Sequence, residues 1–282
     1  MPDADAFEEQ SPEQAFSLLG NETRIAILWA IHEADEAVPF SDLRERVGVR
    51  DSGQFNYHLD KLAGTFVRKT ESGYELTFAG LRVVGAILAG TYTKQGSLDP
   101  FEIDSRCRAC ESQVEVHYSE ERVTVRCPTC DDQLSAFGFP PGGVEGRMND
   151  ELSETFIRWM RGVFSLMVGG ICPNCMGPMT TGFVTGSEHV ADDVGVEFDC
   201  QRCSERAYSS LGSYALYHPV VVAFHHDHGI DLNETPWWEL AWLRNGSPTV
   251  RSEEPWEIEM TLELDGDTLD ISIDDELTVT AE

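Results

Sequence analysis

Lysine is nearly absent from this chain. Of 20 basic residues in 282, only Lys61, Lys69 and Lys94 are lysine, against 50 acidic residues, and the formal net charge is -30. On its face that charge argues against a polyanionic partner. No apolar run reaches the roughly 18 residues a membrane-spanning helix needs. The longest, around Val163–Ile171 and Val220–Phe224, fall well short, so no membrane partner is expected. The opening residues MPDADAFEEQ are acidic and lack the apolar stretch of an export signal, so we expect a soluble, cytoplasmic protein. A glycine-rich phosphate loop, an HExxH helix and a GxSxG elbow are all missing, and we expect no enzyme. FPPGG (139–143) reads as a turn or linker rather than a phosphate cradle. Finally, no cysteine stands alone: all eight fall in CxxC pairs.

What is present reads as a folded protein. The chain is 41% hydrophobic and 25% charged, and its length allows two domains or three small ones. Acidity spread along the chain with so little lysine resembles the proteome style of salt-loving archaea. In molar salt the Debye length is only about 3 Å, so a large net charge repels little beyond its nearest neighbours. The charge is also unevenly placed. Residues 1–95 carry 15 acidic and 9 basic side chains, net -6, and the remainder 35 and 11, net -24. Within Arg44–Lys69 six basic residues face three acidic ones, net +3, a positive island in an acidic chain.

That island holds the stretch DSGQFNYHLDKL. Asp51 opens a helix with Gln54 three residues on, a capping-box-like start. Phe55, Leu59 and Leu62 fall at i, i+4 and i+7 and form its buried stripe, with His58 near the core edge. Gly53, Gln54, Tyr57, Asp60 and Lys61 point away, with Asn56 on the flank. Upstream, Ser11 can cap one helix with Pro12 at its first position, and Asn21 a second whose Ile25, Leu28, Trp29 and Ile31/His32 lie on one face. Ser41 is expected to cap a short helix with Leu43 and Val47 inward, ended by Gly48. Downstream, Phe66-Val67 and Tyr74–Leu76 can pair as a hairpin around the turn ESG, followed by the helical FAGLRVVGAILAG. The series LLGNETRIAILWAI, FSDLRERV, FNYHLDKL and GYELT over residues 11–92 resembles the ArsR-like winged helix-turn-helix regulators of haloarchaea. The resemblance implies transcriptional regulation and a homodimer, but neither operator nor small-molecule effector. Gln and Asn can bind adenine edges in double-stranded DNA, while Ser, Tyr, Lys and Arg can hold phosphates. The candidate DNA-binding residues are therefore Arg50, Ser52, Gln54, Asn56, Tyr57, Lys61, and, on the wing, Arg68 and Lys69.

The cysteines carry the strongest chemical pattern. CRAC (Cys107, Cys110), CPTC (Cys127, Cys130), CPNC (Cys172, Cys175) and CQRC (Cys200, Cys203) are separated, within the outer couples, by 16 and 24 residues. A CxxC knuckle aims two thiolates at one point, and two knuckles make a tetrahedral site suited to Zn²⁺. VEVHYSEERVTVRC between the first two reads as two alternating strands with a polar turn, the build of a zinc ribbon. Neighbouring pairs give two closed, structural Zn²⁺ sites. An iron–sulfur cluster and a site shared by Cys127/Cys130 with Cys172/Cys175 stay open as alternatives. Disulfides do not suit a chain without an export signal.

Between the ribbons, NDELSETFIRWMRGVFSLMVGG reads as an amphipathic helix capped by Asn149 or Asp150 and ended by Gly169-Gly170. SYALYHPVVVAFHHDHGIDLNETPWWELAWLRNG gives two further helices, the second starting with Thr235 as cap and Pro236 at the first helical position. Histidines 225, 226 and 228 point apart on a helix and are not expected to share a metal. Trp237, Trp238 and Trp242 are read as core or interface. At the end, Trp256, Ile258, Met260, Leu262 and Leu264 alternate with polar residues, Asp265-Gly266 offers a hairpin turn, and Leu269, Ile271 and Ile273 continue the pattern with a solvated acidic outer face. The expected fold is α+β: a winged helix-turn-helix domain over 1–95, then over 96–282 two four-cysteine zinc ribbons, helices and a terminal antiparallel meander. The expected function is sequence-specific transcriptional regulation. Its rivals are a regulator whose cysteines sense metal or redox state, and a protein-interaction adaptor of the transcription machinery.

Overall fold

In the computed structural model, which describes residues 10–107, 109–190, 192–245 and 248–281, the first helices begin where a side chain can satisfy a free backbone N–H. The acidic residues 1–9, on which the expectation of no export signal rests, lie outside the described residues. The chain divides into two compact units, Met1–Gln95 with Pro140–Gly143, and Gly96–Phe139 with Val144–Glu282.

In the first unit, Ser11 caps α1 (Pro12–Leu19) and Asn21 caps α2 (Glu22–His32) by accepting the N–H groups of Gln14 and Arg24. Helix α3 (Phe40–Val47) starts two residues earlier than expected: Pro39 precedes it, and the Ser41 hydroxyl donates instead to Asp42 Oδ1 (2.8 Å). Pro39 fixes the backbone φ at the helix entry but supplies no side-chain cap. Gly48, at φ +75°, ends α3 as expected. Asp51 accepts the Gln54 N–H (2.7 Å) and opens α4 (Ser52–Leu62). Strands β1 (Val67–Lys69) and β2 (Tyr74–Leu76) pair antiparallel, Val38 bridges to Tyr74, and Thr77 caps α5 (Phe78–Leu88). A Cβ at Gly80 would stand 2.2 Å from the Phe66 carbonyl oxygen, so glycine alone allows α5 this close to the hairpin.

Helix α2 is central in this unit, packed by α3, α4, α5 and β2. It therefore buries Ile27 and Ala30 as well as the expected Leu28 and Ile31, while Ile25 and Trp29 are half-buried and His32 is exposed. Phe55, Leu59 and Leu62 of α4 meet that core fully buried, each worth about 1.5–3 kcal/mol of transfer free energy.

The second unit is built on three antiparallel sheets. One runs β3 (Ser97–Arg106), β4 (Gln113–Ser119), β5 (Arg122–Arg126), β6 (Gln133–Gly138) in order. Next come α6 (Asn149–Val168) and a sheet of β7 (Met179–Thr185), β8 (Val194–Cys200) and β9 (Arg206–Ser210). After α7 (Leu211–Ala215), α8 (Pro219–Asp227), a 3₁₀ turn at Trp237–Glu239 and α9 (Ala241–Asn245), the chain ends in the meander β10 (Thr249–Glu253), β11 (Trp256–Leu264), β12 (Asp267–Asp274), β13 (Val279–Ala281). Glu120-Glu121 and Asp265-Gly266 both have positive φ, the backbone of a two-residue hairpin turn. The alternation of β11 and β12 holds: Ile258 faces Ile273, Met260 faces Ile271 and Leu262 faces Leu269, on the buried side.

Two expectations fail here. Met148, not Asn149 or Asp150, precedes α6, because Glu151 reaches back to accept the Met148 N–H (2.9 Å). The helix expected from Pro236 splits into the 3₁₀ turn and α9, with Leu240 extended between them. Trp238, Leu240 and Trp242 are all buried, and a continuous helix would turn Leu240 about 200° away from the other two.

The protein is thus mixed α+β, and its sheets are antiparallel throughout the described residues. No helix among them is long and apolar enough to cross a membrane.

Candidate metal centres and nucleic-acid interface

Each CxxC segment folds into the same tight loop. The N–H of the first cysteine donates to the carbonyl five residues on: Cys107 to Ser112, Cys127 to Asp132, Cys172 to Gly177 and Cys200 to Glu205, all at 2.8–2.9 Å. One residue past the second cysteine, Glu111, Asp131, Met176 and Ser204 have φ between 58° and 62°. Non-glycine residues seldom adopt that left-handed conformation, and four at equivalent positions mark a backbone held in place by its surroundings. In each loop the first cysteine is buried and the second sits nearer the surface; Cys110, Cys130 and Cys203 are exposed.

The loops pair as neighbours in sequence. Cys107, Cys110, Cys127 and Cys130 form one quartet and Cys172, Cys175, Cys200 and Cys203 the other, the sulfurs of each lying within 4.8 Å of one another. Cys107 is 3.6 Å from Cys130 and Cys110 is 3.4 Å from Cys127; Cys172 is 3.7 Å from Cys203 and Cys175 is 3.6 Å from Cys200. A tetrahedral ion with metal–sulfur bonds of about 2.3 Å separates its ligands by roughly 3.8 Å, so both quartets suit one metal ion each. Cys127/Cys130 and Cys172/Cys175 do not share a site.

The sulfurs are also prepared for charge. The N–H groups of Ala109, Gly177 and Arg202 donate to Cys107, Cys175 and Cys200 at 3.3–3.4 Å. Burial pushes the Cys107 and Cys172 thiols up from their ordinary value. The hydroxyl and N–H of Ser112 pull Cys110 down to about 6, and the N–H of Cys203 does the same for Cys200. Each quartet thus holds a thiolate near neutral pH, the form that binds metal. Ser112, and Asn174, whose amide lies 3.7 Å from Cys203 Sγ, are the supporting residues that CxxC spacing does not reveal.

The histidines 225, 226 and 228 face different partners. His225 is buried, its Nδ1 2.7 Å from the Val221 carbonyl while Nε2 accepts the Trp242 indole N–H (2.9 Å). His228 lies between the Phe224 carbonyl and Asp267, and His226 is exposed.

In the first unit, Arg50, Ser52, Gln54, Asn56, Tyr57, Lys61, Arg68 and Lys69 are all exposed. Five lie on α4, Arg50 just before it, and Arg68 and Lys69 on β1. Some already have partners. The Asn56 amide donates to Asp60 (2.7 Å), and Arg68 makes two bonds to Glu75 Oε2 (2.9 and 3.1 Å) from the residue directly across the hairpin. Lys61 lies over the Tyr57 ring and Lys69 over Tyr74, at 5.7 and 5.9 Å. Both carboxylates were within reach of a reading by position: Asp60 is four residues from Asn56 on a helix, and Glu75 follows from the hairpin register.

A family model described as a domain of unknown function, DUF7351, matches residues 104–279, which include all eight cysteines. A second, DUF7347, described in the same words, matches residues 12–87, which include all eight exposed candidates of the first unit. No curated protein and no solved structure matches the chain.

Proposed function

We propose, from the premise that the chain belongs to the DUF7351 family, that it is a sequence-specific DNA-binding regulator. In this reading residues 1–95 form a winged helix-turn-helix, with α4 lying in the major groove and the β1–β2 hairpin as its wing. Residues 96–282 carry two zinc ribbons whose four-cysteine sites hold structural Zn²⁺. The observation that carries the reading is the divided surface of α4. Phe55, Leu59 and Leu62 anchor it in the core while Gln54, Tyr57 and Lys61 are exposed on the outside, within the net +3 window.

Salt refines which of these matter. Phosphate attraction falls by about 0.9 log units per contact for each decade of salt. A protein of this composition working at high salt must lean on base edges, and Gln54 with its uncommitted amide is the leading reader. Asn56 would first have to leave Asp60, and Arg68 to leave Glu75. Two copies would associate through the exposed apolar side chains of α5, Phe78, Leu81 and Leu88, together with Tyr92 and with Phe16 of α1.

The test is selection of binding sites from random duplex DNA, followed by anisotropy titration on the enriched sequence. Gln54→Ala with Tyr57→Ala should lower specific affinity by about 10- to 100-fold, on the scale of one or two lost base contacts, while substitution of Asp99 or Glu276 should not. No enriched sequence at any salt, or equal losses from all these substitutions, would sink the reading.

A further inference from the structure

One cleft of the acidic second unit is lined by cations. Arg158, Arg161, Gly162 and Ser165 of α6 line it together with Tyr217 and Asn233, around about 420 Å³. These four α6 positions fall at i, i+3, i+4 and i+7, on the side of the helix opposite the buried Leu152, Phe156, Met160 and Met167.

The two arginines are poorly neutralised for a region with 35 acidic and 11 basic side chains. Elsewhere in the unit Arg126 pairs with Asp131, Arg206 with Glu197 and Asp199, and Arg251 with Glu259. Among the described residues no carboxylate lies within 4.0 Å of Arg161, although its charge reaches Asp231, whose carboxyl the Asn233 N–H and then Arg161 hold below the usual range. Its Nε donates to Asn233 Oδ1 (3.0 Å) and its guanidinium stacks 5.1 Å from the Tyr217 ring centre, so both terminal nitrogens stay uncommitted. Asn233 in turn is fixed by its backbone and amide N–H bonds to Asp231 (2.8 and 2.9 Å). Arg158 touches Glu154 and Glu234 only at 3.5 Å, all three side chains exposed, which holds a guanidinium weakly. The Tyr217 hydroxyl has no hydrogen bond among the described residues, and burial pushes its pKa up to about 12, so it remains a proton donor.

Gly162 is the independent clue. It sits in the middle of a 20-residue helix, where glycine destabilises relative to alanine. A Cβ there would meet nothing within 4 Å, so packing does not require the glycine. What a larger side chain would do is fill the cleft.

We propose that this cleft binds a small organic oxyanion, a phosphate or a carboxylate, gripped by the guanidinium groups of Arg158 and Arg161 with the hydroxyls of Tyr217 and Ser165 as further donors. Its volume falls in the roughly 300–1,000 Å³ range of small-molecule sites, and fork-shaped guanidinium donors match the paired oxygens of either group. The site stands apart from the DNA-binding reading and does not depend on it.

The test is calorimetric titration of the full-length protein, purified with its metal, against inorganic phosphate in one arm and citrate in the other, at constant ionic strength. Saturable binding of one equivalent in either arm is expected, and the tighter arm names the ligand class. Arg158→Gln and Arg161→Gln should each weaken it by about tenfold. Gly162→Leu should abolish it while melting no lower than the natural protein, which separates a blocked cleft from a misfolded chain. Absence of saturable binding in both arms overturns the proposal, and so does binding that survives Gly162→Leu unchanged. If an arginine variant fails to fold, Gly162→Leu decides alone.

Discussion

The two units close their cores by different means. In the first, thirteen side chains from Ile27 to Val84 meet as one apolar cluster without a cysteine among them. In the second, the buried cysteines are part of the cores themselves: Cys107 and Cys127 lie with Val114, Val116, Val123 and Val125, and Cys172 and Cys200 with Phe198, Leu211 and Ile258. The second unit packs more buried side chains than the first, in two clusters, so a metal held there would add ligation to cores that packing already forms. The difference lies in where the thiols sit: absent from the first core, and built into both cores of the second unit.

The contrast should break most strongly at the thiols. Cys107→Ser or Cys172→Ser should each remove one metal equivalent, measured by elemental analysis. Structural zinc contributes about 10–16 kcal/mol in small domains, more than the stability of most folds. Hydrogen exchange should then accelerate in the strands beside the altered quartet while α2 and α4 stay protected. Exchange that accelerates equally in α2 and α4 would show the cores to be coupled. Chelation that strips the metal yet leaves native circular dichroism would instead make the quartets responsive rather than structural. Next in size is the converse. Leu59→Ala, fully buried in α4, should cost about 2–5 kcal/mol and deprotect α2 and α4 with metal content unchanged.

A smaller effect should come from His225. Burial holds its imidazole below the usual 6.5, and the Trp242 N–H needs a neutral acceptor at Nε2. The unfolded chain therefore takes up the proton first as pH falls. The stability this group contributes is present above about pH 6.5 and is lost as pH drops below it toward the depressed folded value. As pH falls from about 7.5 to 5.5 the natural protein should lose stability that His225→Gln does not, read as the difference between their melting-temperature slopes. Equal slopes would show that His225 plays no part in the acid sensitivity.

Much of this was open to reading from residue order. Ser11, Asn21 and Asp51 cap their helices, Gly48 ends α3, and Phe55, Leu59 and Leu62 form the buried stripe, because capping and helical periodicity act within a turn or two. The hairpin turn at Asp265-Gly266 and the alternation of β11 belong to the same class. The errors lie where distant packing overrides a local signal. Trp238, Leu240 and Trp242 break a helix to be buried together, and α2 buries Ile27 and Ala30 beyond its expected face because α1, α3, α4, α5 and β2 all pack on it. At the candidate metal sites the four-cysteine quartets were legible from spacing, but Ser112 and Asn174 were not, since no rule of spacing selects them.

The sequence alone determined the ligands, the outward set of α4 and the uneven charge, because each depends on residues a few positions apart or on simple counting. Only the tertiary structure decided that the thiols pair as neighbours and that Arg158 and Arg161 share a cleft with Tyr217 and Asn233. Those outcomes depend on where a folded backbone brings distant side chains, and the energies that select them are contact energies that no local pattern contains.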